Sequence, residues 1–100
     1  MAIGVMFDVV GMTQEHYEQV FNEVTNHGTE PAPGILTHVA GPTEDGFCVM
    51  EIWESEEALH QRFEAKLGAA LQSANVPPTQ PRMFTVVNAL PSLTGVGPTS

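Results

Sequence analysis

Positive charge is scarce in this chain of 100 residues: Arg62, Lys66 and Arg82 stand against twelve carboxylates, giving a formal net charge of −9. Nucleic-acid binding requires several Lys or Arg side chains to neutralise phosphates. Three scattered bases cannot do this, and the same shortage excludes an anionic membrane surface. Cysteine is nearly absent too. Cys48 stands alone, which excludes an internal disulfide and a cysteine cluster for zinc. No apolar run approaches the ~20 residues of a spanning helix, and the opening MAIGVMFDVV lacks the basic stretch of a signal peptide. The expected location is cytoplasmic. The four histidines show no His-x-x-x-His or His-x-His spacing, and the glycines form no phosphate loop. Neither a metal nor a cofactor is expected.

Charged residues of both signs make up 15% of the chain, below the usual ~25%. A polar exterior is therefore thin, and some apolar surface is expected to be covered by a partner. The length suits one domain, since two cores would each fall near the lower limit for independent folding.

From Ala2 to Val9 the residues on both alternating sets are mostly apolar, which reads as a central strand buried on each side. Gly11 ends it. Thr13 caps a helix running to about Asn26, with Glu15 in its first turn and Tyr17, Val20, Phe21 and Val24 on one face. Asn26-His27-Gly28 is a helix stop, and Pro31, Pro33 and Gly34 mark a loop. Ile35–Ala40 and Phe47–Trp53 flank a turn ending in Asp45-Gly46, a hairpin signal. Ser55 caps a second helix, with Glu56 and Glu57 at the positive end of its dipole and Leu59, Phe63, Leu67, Ala70 and Leu71 on its apolar face. A Pro-rich connection, 75–81, leads to a fourth strand over Met83–Leu90. The domain is expected to end at residue 91, with 92–100 a frayed tail.

The order β-α-β-β-α-β is the ferredoxin-like, α+β arrangement with a four-stranded antiparallel sheet. Two helices cover one face of such a sheet. The other face needs a cover, and the same face of a second copy supplies one, so a homodimer through the open sheet face is expected.

Hairpin register decides which side chains meet. If the turn is Thr43–Gly46 between Pro42 and Phe47, Leu36 faces Trp53, His38 faces Glu51, and Ala40 faces Val49, all on one side of the sheet. Ile35, Thr37, Val39, Cys48, Met50 and Ile52 fall on the other, which suits an apolar interface. An imidazole, a carboxylate and an indole are then gathered together. A carboxylate beside an imidazole orients the ring and stabilises the cation formed when it takes a proton, as in a general base. The indole offers a flat apolar wall and one N–H donor. Phe7 and Tyr17 are further candidates for the same cleft, although helical spacing makes Tyr17 a core residue first. The competing reading is structural: His–Glu pairs across strands are common stabilising contacts, Trp at a strand end is often core, and a turn one residue longer or shorter separates the pair. His16, His27 and His60 read as surface or loop residues.

The stretches Gly34-Ile35-Leu36-Thr37-His38 and Asp45-Gly46-Phe47-Cys48-Val49-Met50-Glu51-Ile52-Trp53-Glu54-Ser55-Glu56-Glu57-Ala58-Leu59 resemble the dimeric α/β-barrel superfamily and, within it, small antibiotic-biosynthesis-monooxygenase-like proteins. The join Trp-Glu-Ser-Glu-Glu-Ala-Leu carries most of the specificity. The resemblance implies a sheet-on-sheet homodimer with a cleft between each sheet and its own helices, and a cleft role for Trp53. Members include cofactor-independent oxygenases of polycyclic phenols, haem-degrading proteins, isomerases and proteins without known activity.

Three functions compete. The first is a cofactor-free oxygenase or isomerase acting on a small aromatic or polyketide-like molecule, with His38 as base, Glu51 as its orienter, and Trp53, Phe7, Tyr17 and Leu36 contacting substrate. The second is a non-catalytic small-molecule binding module. The third is a subunit-interaction protein whose cleft is filled by its own side chains. An open cavity of several hundred Å³ discriminates the first two from the third.

Overall fold

The structure, a computed structural model, describes residues 1–28, 33–62, 64–74, 76 and 80–91. Strand β1 (Ile3–Val10) is followed by α1 (Gln14–Thr25), the hairpin β2 (Ile35–Pro42) and β3 (Gly46–Trp53), helices α2 (Glu56–Arg62) and α3 (Glu64–Ser73), and β4 (Arg82–Thr85). The four strands form one antiparallel sheet in the order β2-β3-β1-β4. This is the ferredoxin-like α+β arrangement expected from the element order. The expected tail, 92–100, and Phe63 lie outside the described residues.

Local chemistry fixes the first helix. The Thr13 hydroxyl accepts from the His16 N–H at 3.1 Å, and His16 Nδ1 accepts in return from the Thr13 N–H, closing a capping box. His16 thus caps the helix rather than serving the cleft. At the other end Asn26 takes left-handed angles, and its N–H and that of His27 close on the Asn22 carbonyl. Val20 and Val24 are buried against the sheet, each contributing about 1.5–3 kcal/mol by transfer from water. His60 lies on α2 with its Nε2 at 3.2 Å from Glu56, on the exposed surface.

The fourth strand is shorter than the expected Met83–Leu90. Among the described residues it pairs with β1 alone, and its ladder reaches Thr85 opposite Ile3, after which the Val86 N–H donates to the Ala2 carbonyl. Past this hydrogen bond the ladder stops, and the β-forming residues Val86 and Val87 do not continue the strand.

The core lies between the sheet and its helices: Ile3, Val5, Val9, Phe47, Val49 and Trp53 from the strands meet Val20, Val24, Leu59 and Ala70. On the opposite face the ring of Phe84 lies directly over Gly4, where any Cβ would collide with it. Glycine in mid-strand is thereby explained as a seat for an aromatic on the edge strand.

Candidate active site

The hairpin holds the expected register over most of its length, with His38 opposite Glu51, Ala40 opposite Val49 and Pro42 opposite Phe47. At its start it does not. A bulge between Ile35 and Thr37 places Ile35, not Leu36, opposite Trp53. One extra residue turns the preceding side chains over. Ile35 therefore enters the cleft, while Leu36 packs with Ala2 and Val86 away from it.

Between the sheet, α1 and α3 lies a cavity of about 350 Å³. Phe7, Val9 and Val49 form part of its floor, Tyr17, Phe21 and Val24 one wall, and Leu67 and Leu71 another. His38 and Glu51 also reach it. Their polarity, with the hydroxyls of Tyr17 and Thr25, stands out in a mostly apolar lining, the usual makeup of a small-molecule site. The cleft is not filled by its own side chains.

The polar groups form a chain. The Tyr17 hydroxyl lies 2.6 Å from His38 Nε2, His38 Nδ1 lies 2.9 Å from Glu51 Oε2, and the Trp53 indole N–H donates to Glu51 Oε1 at 3.1 Å. A carboxylate only accepts, so Nδ1 carries the proton in the neutral ring, and Nε2 accepts from the tyrosine O–H. Glu51 is 2% exposed and has both oxygens engaged, while the His38 side chain is 27% exposed and lines the cavity. Among the described residues no buried side-chain nitrogen or oxygen lacks a partner. Burial pushes the Tyr17 phenol above its ordinary range, and the negative charge of Glu51 adds to the effect. Tyr17 is held in place by stacking on Phe47, with ring centroids 4.9 Å apart, and by contact with Phe21.

Trp53 is fully buried and is not part of the cavity lining. Its indole acts from behind, fixing Glu51, which in turn fixes His38. Of the sequence candidates, His38, Glu51, Phe7 and Tyr17 come together at the cavity, whereas Trp53 and Leu36 do not line it. The residues missed by sequence reasoning, chiefly Ile35, Phe21, Val49, Leu67 and Leu71, are apolar. The available signals were the helical face Phe21 shares with Tyr17 and the side of the sheet Val49 shares with His38 and Glu51. Among the described residues no group of three His, Cys, Asp or Glu side chains is placed to hold a metal ion, and no helix is long and apolar enough to cross a membrane.

The model of the antibiotic biosynthesis monooxygenase family matches residues 1–74. The chain belongs to this family. No curated protein matches it. Solved structures similar to this family member include one assigned as an antibiotic biosynthesis monooxygenase from Chloroflexus aurantiacus, at TM-score 0.64 and 14% identity, covering 89% of this chain and 96% of that one. A second, from Deinococcus radiodurans, has TM-score 0.59 and 19% identity over 89% of this chain and 95% of its own. A third is SnoaB, a cofactor-independent oxygenase from Streptomyces nogalater, with TM-score 0.57, 18% identity and coverage of 91% and 96%. At such identities these likenesses show the fold.

Proposed function

We propose that this family member is a cofactor-independent oxygenase that uses His38 as general base on a small aromatic or polyketide-like substrate bound in the cleft. The observation that carries the reading is the Tyr17–His38–Glu51–Trp53 hydrogen-bonded chain ending in an apolar cavity. Glu51 holds Nδ1 so that Nε2, bonded to the Tyr17 hydroxyl, is the nitrogen that takes up a proton, and it stabilises the imidazolium formed. Apolar walls exclude water and keep that electrostatic support strong. Once deprotonated, a phenol or carbon acid is electron-rich enough to reduce dioxygen. Oxygen then adds at the carbanionic carbon, the peroxide anion takes back the proton held on His38, and the resulting hydroperoxide loses water, with the hydrogen of that carbon, to leave a carbonyl. The likeness in fold to SnoaB supports the same class of chemistry.

The test is oxygen uptake during aerobic incubation with a panel of phenols of one to four rings. His38→Ala should lower the rate of any accepted phenol by roughly 10²–10⁴-fold, the range of general-base catalysis. Equal rates in the two proteins would remove His38 from the mechanism. Ligand binding without oxygen uptake by either protein would leave a binding module of the same fold.

The sheet's other face supports a homodimer. Val39 is 57%, Met50 37% and Phe84 48% exposed there, with no helix over them among the described residues. Val39 and Met50 are direct cross-strand neighbours, so they form a continuous apolar patch. A second copy covering it through the same face gives a closed two-fold assembly. Its soluble surroundings would be cytoplasmic.

A further inference from the structure

We propose that Tyr17 is the docking point for a neutral phenol or enol, receiving the substrate hydroxyl on its own oxygen and handing the proton on to His38. The inference rests on the base assignment above and names the kind of substrate it acts on. His38 Nε2 is not free: the Tyr17 hydroxyl already occupies it at 2.6 Å, and Nδ1 is held by Glu51. A substrate proton reaches the ring either by pushing Tyr17 aside or through its oxygen. Pushing it aside means unstacking Tyr17 from Phe47 and breaking its tilted contact with Phe21 on its own helix, inside a packed wall. Passage through the oxygen needs no such movement. A hydroxyl has two acceptor lone pairs in addition to the proton it gives Nε2, and Tyr17 lines the cavity.

The step balances. The substrate O–H bond breaks and a new Tyr17 Oη–H bond forms, while the original Oη–H bond breaks and an Nε2–H bond forms. The electron pair stays on the substrate oxygen, His38 becomes imidazolium beside Glu51, and Tyr17 ends neutral. Burial and the Glu51 charge disfavour a tyrosinate, so the two transfers occur together rather than through a Tyr17 anion.

The rest of the lining defines the substrate class. The Thr25 hydroxyl donates to the Phe21 carbonyl at 2.6 Å and accepts from the Gly28 N–H, and both Glu51 oxygens are taken. No Lys or Arg is among the described lining residues. A ligand carboxylate would meet no cation, only the Glu51 charge. The cavity therefore takes a flat, uncharged molecule with one acidic hydroxyl and a largely hydrocarbon remainder.

The probe is 4-nitro-1-naphthol, whose ionised form absorbs in the visible, held at a pH below its own midpoint in water. Binding is followed by fluorescence of Trp53, the one tryptophan. The wild-type protein should bind the probe and develop the ionised band. Tyr17→Phe should weaken that band and the affinity by roughly ten-fold or more, the loss of a hydrogen bond to a charged group. If Tyr17→Phe ionises the probe as well as or better than wild type, Tyr17 merely caps the base and the proposal is wrong. His38→Ala should lose the band yet still bind the neutral probe. Should it retain the band, the base assignment fails while docking at Tyr17 stands. 1-Naphthoic acid should bind at least ten-fold more weakly than 1-naphthol, and equal binding would overturn the substrate class. Tyr17 is the one tyrosine, so fluorotyrosine labelling places a single ¹⁹F reporter at the site without removing the hydroxyl. Its resonance should move with the probe's ionisation, and a stationary signal would overturn the relay even if Tyr17→Phe does not fold.

Discussion

The two faces of the sheet carry similar apolar side chains and opposite liabilities. On the helix-covered face, three polar side chains from the sheet and one from α1 are linked in a single chain, and the most buried carboxylate, Glu51, is fully engaged. On the open face, Val39, Met50 and Phe84 are left to water. Polar groups in a dry interior cost free energy unless every one is paired. Their presence on the covered face is what the proposed chemistry rests on, because an apolar core would be simpler to build. Apolar groups in water cost free energy until covered, which is what favours the proposed association through the open face. One sheet thus separates the proposed site from the proposed interface, and the alternation of side chains along each strand keeps the two apart.

The sharpest way to break this contrast is to remove the keystone of the covered face. Glu51→Ala leaves the His38 and Trp53 N–H groups without acceptors, and urea unfolding should show a loss of about 2–5 kcal/mol. A loss below about 0.5 kcal/mol, the scale of an ordinary surface substitution, would mean that the chain of hydrogen bonds contributes nothing to the fold. On the open face, Met50→Glu should abolish the dimer in analytical ultracentrifugation while changing the stability of the isolated subunit by no more than about 0.5 kcal/mol. An unchanged sedimentation coefficient would show that this face is not the interface.

The smallest effect concerns pH. The folded protein holds the Tyr17 proton more tightly than the unfolded chain, whose phenol titrates near its ordinary value of 10.0. The unfolded state therefore loses its proton first as pH rises. Stability from this group is intact below the unfolded value and falls as pH rises from there through the folded value. Tyr17→Phe should flatten this alkaline decline in thermal unfolding measured across that range. A decline of the same slope in both proteins would assign it to other groups.

His38 and Glu51 were legible as a pair because turn length sets register, and register sets which side chains oppose one another. Alternation also placed Trp53 on the correct face, but its role there is to hold Glu51 rather than to meet a ligand. Period two says which side a residue points to, not how far the helices extend over it. Leu36 and Ile35 exchanged places because a bulge costs one residue of register and leaves no signature in Gly34-Ile35-Leu36-Thr37. Tyr17 read as core on helical spacing, and it is partly that. Its hydroxyl meets His38 only because α1 docks at one particular height on the sheet.

By itself the sequence determined the element order, the caps of α1, the charge that excludes polyanions and the face shared by His38 and Glu51, since these follow from spacing and composition over short stretches. Only the tertiary structure decided the bulge, the end of β4 at Thr85, the retreat of Trp53 behind Glu51 and the meeting of Tyr17 with His38. Each of these depends on the relative placement of elements distant in the chain, and packing of whole elements against one another, not local pattern, sets that placement.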